Sequence, residues 1–160
     1  MDTLIANPHT AEELAAVSTL VHNIVGVGLL GLSAAQVVEV ARGAAGRARY
    51  VWPALGAVTG LGLAAFVFLH QVFTHGVPPF ADPVQNQHQL IGLFAGGGGA
   101  LELARRAGRV GPMAAAAWPM ALVAIAAVFF GHEQGTTAAL VDHLALAGTL
   151  VVAGLAALAP

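Results

Sequence analysis

Residues 51–73 read VWPALGAVTGLGLAAFVFLHQVF, a stretch without a single Asp, Glu, Lys or Arg. A bilayer core about 30 Å thick is crossed by roughly 20 apolar residues in helical form. The stretch is therefore expected to be a transmembrane helix. Working outward, the same absence of charge recurs between Glu13 and Glu39, between Asp82 and Glu102, between Arg109 and Glu133, and after Asp142. The expected spans are 16–39, 51–73, 86–106, 113–132 and 140–158. Between the second and third lies HGVPPFADPVQNQ, too rich in proline and polar groups for lipid. Gly76 and Pro78-Pro79 stop one helix there, and Asp82-Pro83 starts the next. A short turn around Glu133-Gln134-Gly135-Thr136 joins the last two spans.

Composition agrees with this reading. The 160 residues are 58% hydrophobic and 9% charged, whereas a soluble domain carries roughly a quarter charged residues. A chain this short could not hide so much apolar surface in one core, so lipid is the expected solvent. There is no cysteine, which excludes disulfides and thiolate metal sites. Three methionines are few for a thioether Cu(I) relay. The net charge of −2 points to no nucleic-acid partner. The N-terminal MDTLIANPHTAEEL lacks the basic segment of a cleaved signal peptide and reads as a short acidic tail. The expected fold is an all-α integral membrane protein, residues 1–160 forming one transmembrane domain of five helices.

All six basic residues (Arg42, Arg47, Arg49, Arg105, Arg106 and Arg109) fall in the loops after the first and third helices. The positive-inside rule makes those loops cytoplasmic. The expected location is the plasma (inner) membrane, with the N-terminus outside and the C-terminus in the cytoplasm.

The sequence also repeats. A shift of 66 residues lays His22-Asn-Ile-Val-Gly26 on His88-Gln-Leu-Ile-Gly92, and Trp52-Pro53 on Trp118-Pro119. Each copy ends in aromatics running into histidine, Phe66-Val-Phe-Leu-His70-Gln and Phe129-Phe-Gly-His132-Glu, and a weaker echo opens the fifth helix at His143. Both copies start outside, so they are parallel repeats about an axis along the membrane normal. Helices 1–2 are expected to be equivalent to helices 3–4, with helix 5 appended.

On this topology all seven histidines lie on the outer side. Five of them, His22, His70, His88, His132 and His143, are candidate metal ligands at the outer ends of five different helices. His22, Gly26, Leu29, Ser33 and Gln36 share one helical face by their spacing, as do His88, Gly92, Ala95, Gly99 and Glu102. Gly26 and Gly92 are candidate cofactor-binding positions, because small residues make room either for a flat macrocycle or for close helix packing. Glu133 and Asp142, each beside a histidine, are candidates to orient an imidazole. Gln36 and Glu102 fall near the inner boundary, where water can solvate them.

Three functions compete for this pattern. The first is a small membrane electron-transfer protein in which two histidines ligate haem b axially. The second is binding or transport of a bare copper, zinc or iron ion by imidazoles. The third is a structural or proton-coupled subunit whose histidines titrate without metal. The expected partners are the lipid bilayer and a quinone or outer-side redox protein, with assembly into a homo-oligomer or larger membrane complex. No residue is marked as catalytic.

Overall fold

A computed structural model describes residues 11–43, 46–74, 76, 78, 81–131 and 137–158. Among these, five helices account for nearly the whole chain: α1 (Ala11–Arg42), α2 (Val51–Leu69), α3 (Pro83–Arg106), α4 (Ala117–Phe130) and α5 (Thr137–Leu158). Short 3₁₀ turns, Gly46–Tyr50 and Pro112–Ala116, lead into α2 and α4, and one π-helical turn, His70–Thr74, closes α2. No strand occurs among the described residues. The helix boundaries follow local chemistry. Asp82 caps α3 through its carboxylate, which accepts from Val84 N at 2.9 Å and Gln85 N at 3.3 Å, and Pro83 occupies the first turn. Both are favourable at a helix start. At the opposite end of the bundle Gly43 (φ 75°) and Gly108 (φ 70°) terminate α1 and α3 in the left-handed region, where glycine carries no Cβ penalty.

Each helix packs chiefly on its neighbours in sequence, with α3 held between α2 and α4. Four segments are long and apolar enough to cross a membrane: Thr19–Arg42, Gly46–Thr74, Pro112–Phe130 and Leu140–Leu158. The expected fifth span, α3, is long but less apolar, because it carries Gln85, Asn86, Gln87, His88, Gln89 and Glu102. Its position explains this composition. Neighbouring helices cover it, and its inward residues Gln89, Gly92, Gly96, Gly98, Gly99 and Glu102 are buried. It nevertheless runs the full depth of the bundle. Gln87 Nε2 donates to Gly131 O at one end (2.9 Å), and the Arg106 guanidinium reaches Arg49 O at the other (2.5 Å).

The Gly96–Gly99 run is what allows α3 to sit there. A Cβ at Gly99 would lie 2.5 Å from Ala57 N on α2, and one at Gly98 2.7 Å from the Ala121 Cβ on α4. Gly96 likewise faces the Leu61 backbone. Glycine costs a helix up to about 1 kcal/mol per residue relative to alanine; close packing on two sides offsets that cost. The outside of the bundle is apolar. Val27, Leu30, Val40, Val58, Phe73 and Val152 are all at least two-thirds exposed, while Gln71, Gln89 and Glu102 are buried. That distribution inverts the one water selects.

Of the α1 face His22–Gly26–Leu29–Ser33–Gln36, only the ends approach other helices, His22 at His88 and Gln36 in a cavity beside Glu102. Leu29 and Ser33 are exposed. The contact stripe is instead Gly28, Leu32, Ala35 and Glu39. Gly28 abuts Thr59, Leu32 and Ala35 join the Trp52–Trp118 cluster, and Glu39 pairs with Arg106. One residue is about 100° of helical rotation. α1 is apolar on every side, so periodicity alone did not fix its rotation.

Candidate functional site

The histidine end of the bundle brings His22 and His88 together across α1 and α3. Their ring centroids are 6.0 Å apart with planes at 87°. The Nδ1 of His88 lies 2.8 Å from Val84 O, one turn earlier on its own helix. A backbone carbonyl there selects the tautomer with the proton on Nδ1 and turns Nε2 outward from α3. His143 of α5 also comes within electrostatic range of His88, and its ring leans on Phe129 of α4 at 5.3 Å. His70 stacks on Phe66 of its own helix, with centroids 5.6 Å apart and planes at 7°. It belongs to the π-helical turn, a distortion often found at functional sites. His132, like Glu133, lies outside the described residues.

Among the described residues, no three His, Asp or Glu side chains are grouped to hold an ion. The two candidate glycines part company. At Gly26, one turn below His22, a Cβ would meet nothing within 4 Å. At Gly92 it would lie 2.7 Å from both Ala64 N and Gly60 O. Gly92 is therefore a helix-packing glycine that lets α2 and α3 approach, and a flat cofactor has no room against it. The sequence offered both uses for it, and packing is the one realised.

Two buried amides at this end escaped the reading of the sequence. Gln71, in the π turn, is 1% exposed, and neither its Nε2 nor its Oε1 has a hydrogen-bond partner among the described residues. Gln89, beside His88, is 3% exposed, and its Oε1 is likewise without a partner. Such atoms cost roughly 1–3 kcal/mol each when left unsatisfied. Their signal in the sequence is slight, a glutamine following each of two helical histidines.

The arginine end is not simply solvated. Glu102 is buried and accepts from Arg105 Nε (2.6 Å), Arg105 Nη2 (2.7 Å) and Arg106 Nε (2.6 Å). Arg106 Nη1 also reaches both oxygens of Glu39 on α1 at 2.8 Å, and its guanidinium sits 4.8 Å over the Trp52 ring. One side chain thus joins α1, α2 and α3. A cavity of about 370 Å³ beside it is lined by Gln36, Trp52, Glu102, Arg105, Trp118 and residues of α5. The expectation that Glu102 is merely wetted there fails, because two guanidiniums and the neighbouring helices enclose it.

No family model, characterised protein or solved structure matches the chain.

Proposed function

We propose that this chain is a multi-pass membrane electron carrier that holds one haem b near its outer face, with His22 and His88 as the axial ligands. The observation that carries the reading is the separation of those two rings. Two imidazoles from different helices would hold a haem iron between them if their ring centres stood about 6 Å apart. The rings of His22 and His88 stand 6.0 Å apart. The carbonyl of Val84 at His88 Nδ1 is the kind of outer partner that orients a ligating imidazole. The open side of Gly26 supplies room for a flat ring one turn below His22. A haem held there would supply one-electron chemistry; the chain would supply the ligands and the position. A bare ion is less well supported, since it needs three or four converging ligands.

Membrane insertion is supported by four long apolar helices and by the many large apolar side chains exposed on them. With the six arginines inside, the N-terminus faces out and the C-terminus faces the cytoplasm. An internal duplication is supported by two equivalent pairs that touch their own copies. His22 meets His88 at one end and Trp52 meets Trp118 at the other. Two such self-contacts, both at a spacing of 66 residues, are what an axis running down the bundle would produce.

The test is an absorption spectrum of protein purified from haem-replete cells. A Soret band with sharp reduced α and β bands, and about one haem per chain, is the expected result. A colourless preparation that takes up no added haemin overturns the reading.

A further inference from the structure

On the flank of α2 and α3 a groove of about 380 Å³ runs from mid-bundle toward the histidine end. Its lining is Leu61, Ala64, Ala65, Phe68, Leu69, Gln89 and Leu93. Six of these seven are apolar, and Leu61, Leu69 and Leu93 are about half exposed. The groove therefore opens on the surface that four apolar spans give to lipid. Its polar member is Gln89, 97% buried, with an Oε1 that no described group satisfies.

We infer that this groove binds a lipid-soluble quinol, with a ring hydroxyl donating to Gln89 Oε1 and the apolar body lying along Leu61, Ala65, Phe68 and Leu93. The chemistry narrows the occupant. An acyl chain would fill the apolar walls and leave the buried acceptor unsatisfied. A water-soluble ligand would satisfy the acceptor and leave the walls against polar groups. An apolar body with a hydroxyl at one end does both, and a lipid-soluble quinol has that form. Gln89 adjoins His88 in sequence, so the bound ring would lie at the depth of the proposed ligand pair, about 100° around α3 from His88. The Glu102 cavity, thirteen residues further along α3, is about 20 Å away. The inference needs the bundle to sit in lipid but does not need the haem, and it deepens the electron-carrier reading by naming a donor class.

The experiment is equilibrium binding to the full chain in lipid nanodiscs, anaerobic and pre-reduced with dithionite so that no electron transfer intervenes. The probes are decylubiquinol and its dimethyl ether, which keeps the body and lacks both O–H donors. The wild type is expected to prefer the quinol by about tenfold, the effect of satisfying one buried acceptor. Gln89→Leu is expected to bring the two affinities within about twofold. Ala65→Trp, which fills the groove from its exposed side, is expected to abolish binding of both probes. Equal affinities in the wild type, or undiminished binding in Ala65→Trp, overturn the proposal. The haem spectrum of each variant is read in parallel. In the wild type, haem without any preference for the quinol sinks only this inference, and quinol-selective binding without haem sinks only the electron-carrier reading.

Discussion

Trp52 and Trp118 meet at the arginine end of the bundle, ring centroids 5.2 Å apart and planes at 57°. Both are buried, and with Leu32 they form the apolar knot from which α1, α2 and α4 diverge. Each indole is followed by a proline in the first helical turn, so the same local sequence delivers both rings to one place. Aromatic pairs of this kind contribute about 0.5–1.5 kcal/mol beyond their buried area. A double-mutant cycle with Trp52→Leu and Trp118→Leu, read from unfolding in detergent, is expected to give a coupling energy in that range. Strict additivity would remove the pair from the account of stability.

The ligand assignment separates two histidines from the rest. If haem is held as proposed, His22→Ala and His88→Ala are each expected to turn a low-spin spectrum into a high-spin one or to lose haem altogether. His70→Ala is expected to keep the low-spin spectrum, because its ring stacks on Phe66 within its own helix. Electron paramagnetic resonance of the oxidised protein reads the difference. A high-spin signal only in the His70 variant would move the site to α2.

Arg106 links Glu39, Glu102, Arg49 O and the Trp52 face while only 13% exposed. Arg106→Ala leaves the buried carboxylate of Glu102 and the partly buried one of Glu39 with fewer counter-charges, a change that costs about 3–5 kcal/mol at a buried pair. Arg106→Lys keeps the charge but not the fork, and is expected to recover only part of the loss. Thermal unfolding in detergent ranks the three proteins, and an unaltered midpoint in Arg106→Ala would show the cluster to be solvated after all.

The glycine run makes a contrast within four consecutive residues. Gly99→Val places its side chain against Ala57 N and Gly56 C of α2, and is expected to prevent α3 from docking. Gly97→Ala meets nothing within 4 Å and replaces a poor helix former, so a gain of up to about 1 kcal/mol is expected. Size-exclusion profiles and melting curves distinguish the two. Equal tolerance of both would mean that α2 and α3 do not approach closely.

The absence of native cysteine makes orientation directly measurable. Single cysteines at Arg47 or Arg109 are expected to resist a membrane-impermeant maleimide in intact cells. One at Gly76 or Ala81, in the loop at the opposite end, is expected to react. The reverse pattern would invert the topology.

The number of helices and the rough position of each were legible in the sequence, because they depend on local chemistry; several ends lie three to five residues from the expected ones. Charge-free runs and Asp82-Pro83 act within a turn or two of where they stand. The gathering of histidines at one end of the chain's hairpins was legible for the same reason. The rotation of each helix about its axis was not. A segment such as α1, apolar all round, has no polar stripe to mark its inner face. The packing stripe Gly28–Leu32–Ala35–Glu39 emerged only from its neighbours. The tertiary structure alone decided that Gly92 packs while Gly26 stays open, that Glu102 is enclosed by two arginines, and that His22 faces His88. It alone buried the Gln71 amide and the Gln89 Oε1 where no described group satisfies them. Each of these depends on what lies across a helix interface, and residues tens of positions apart in sequence set that environment.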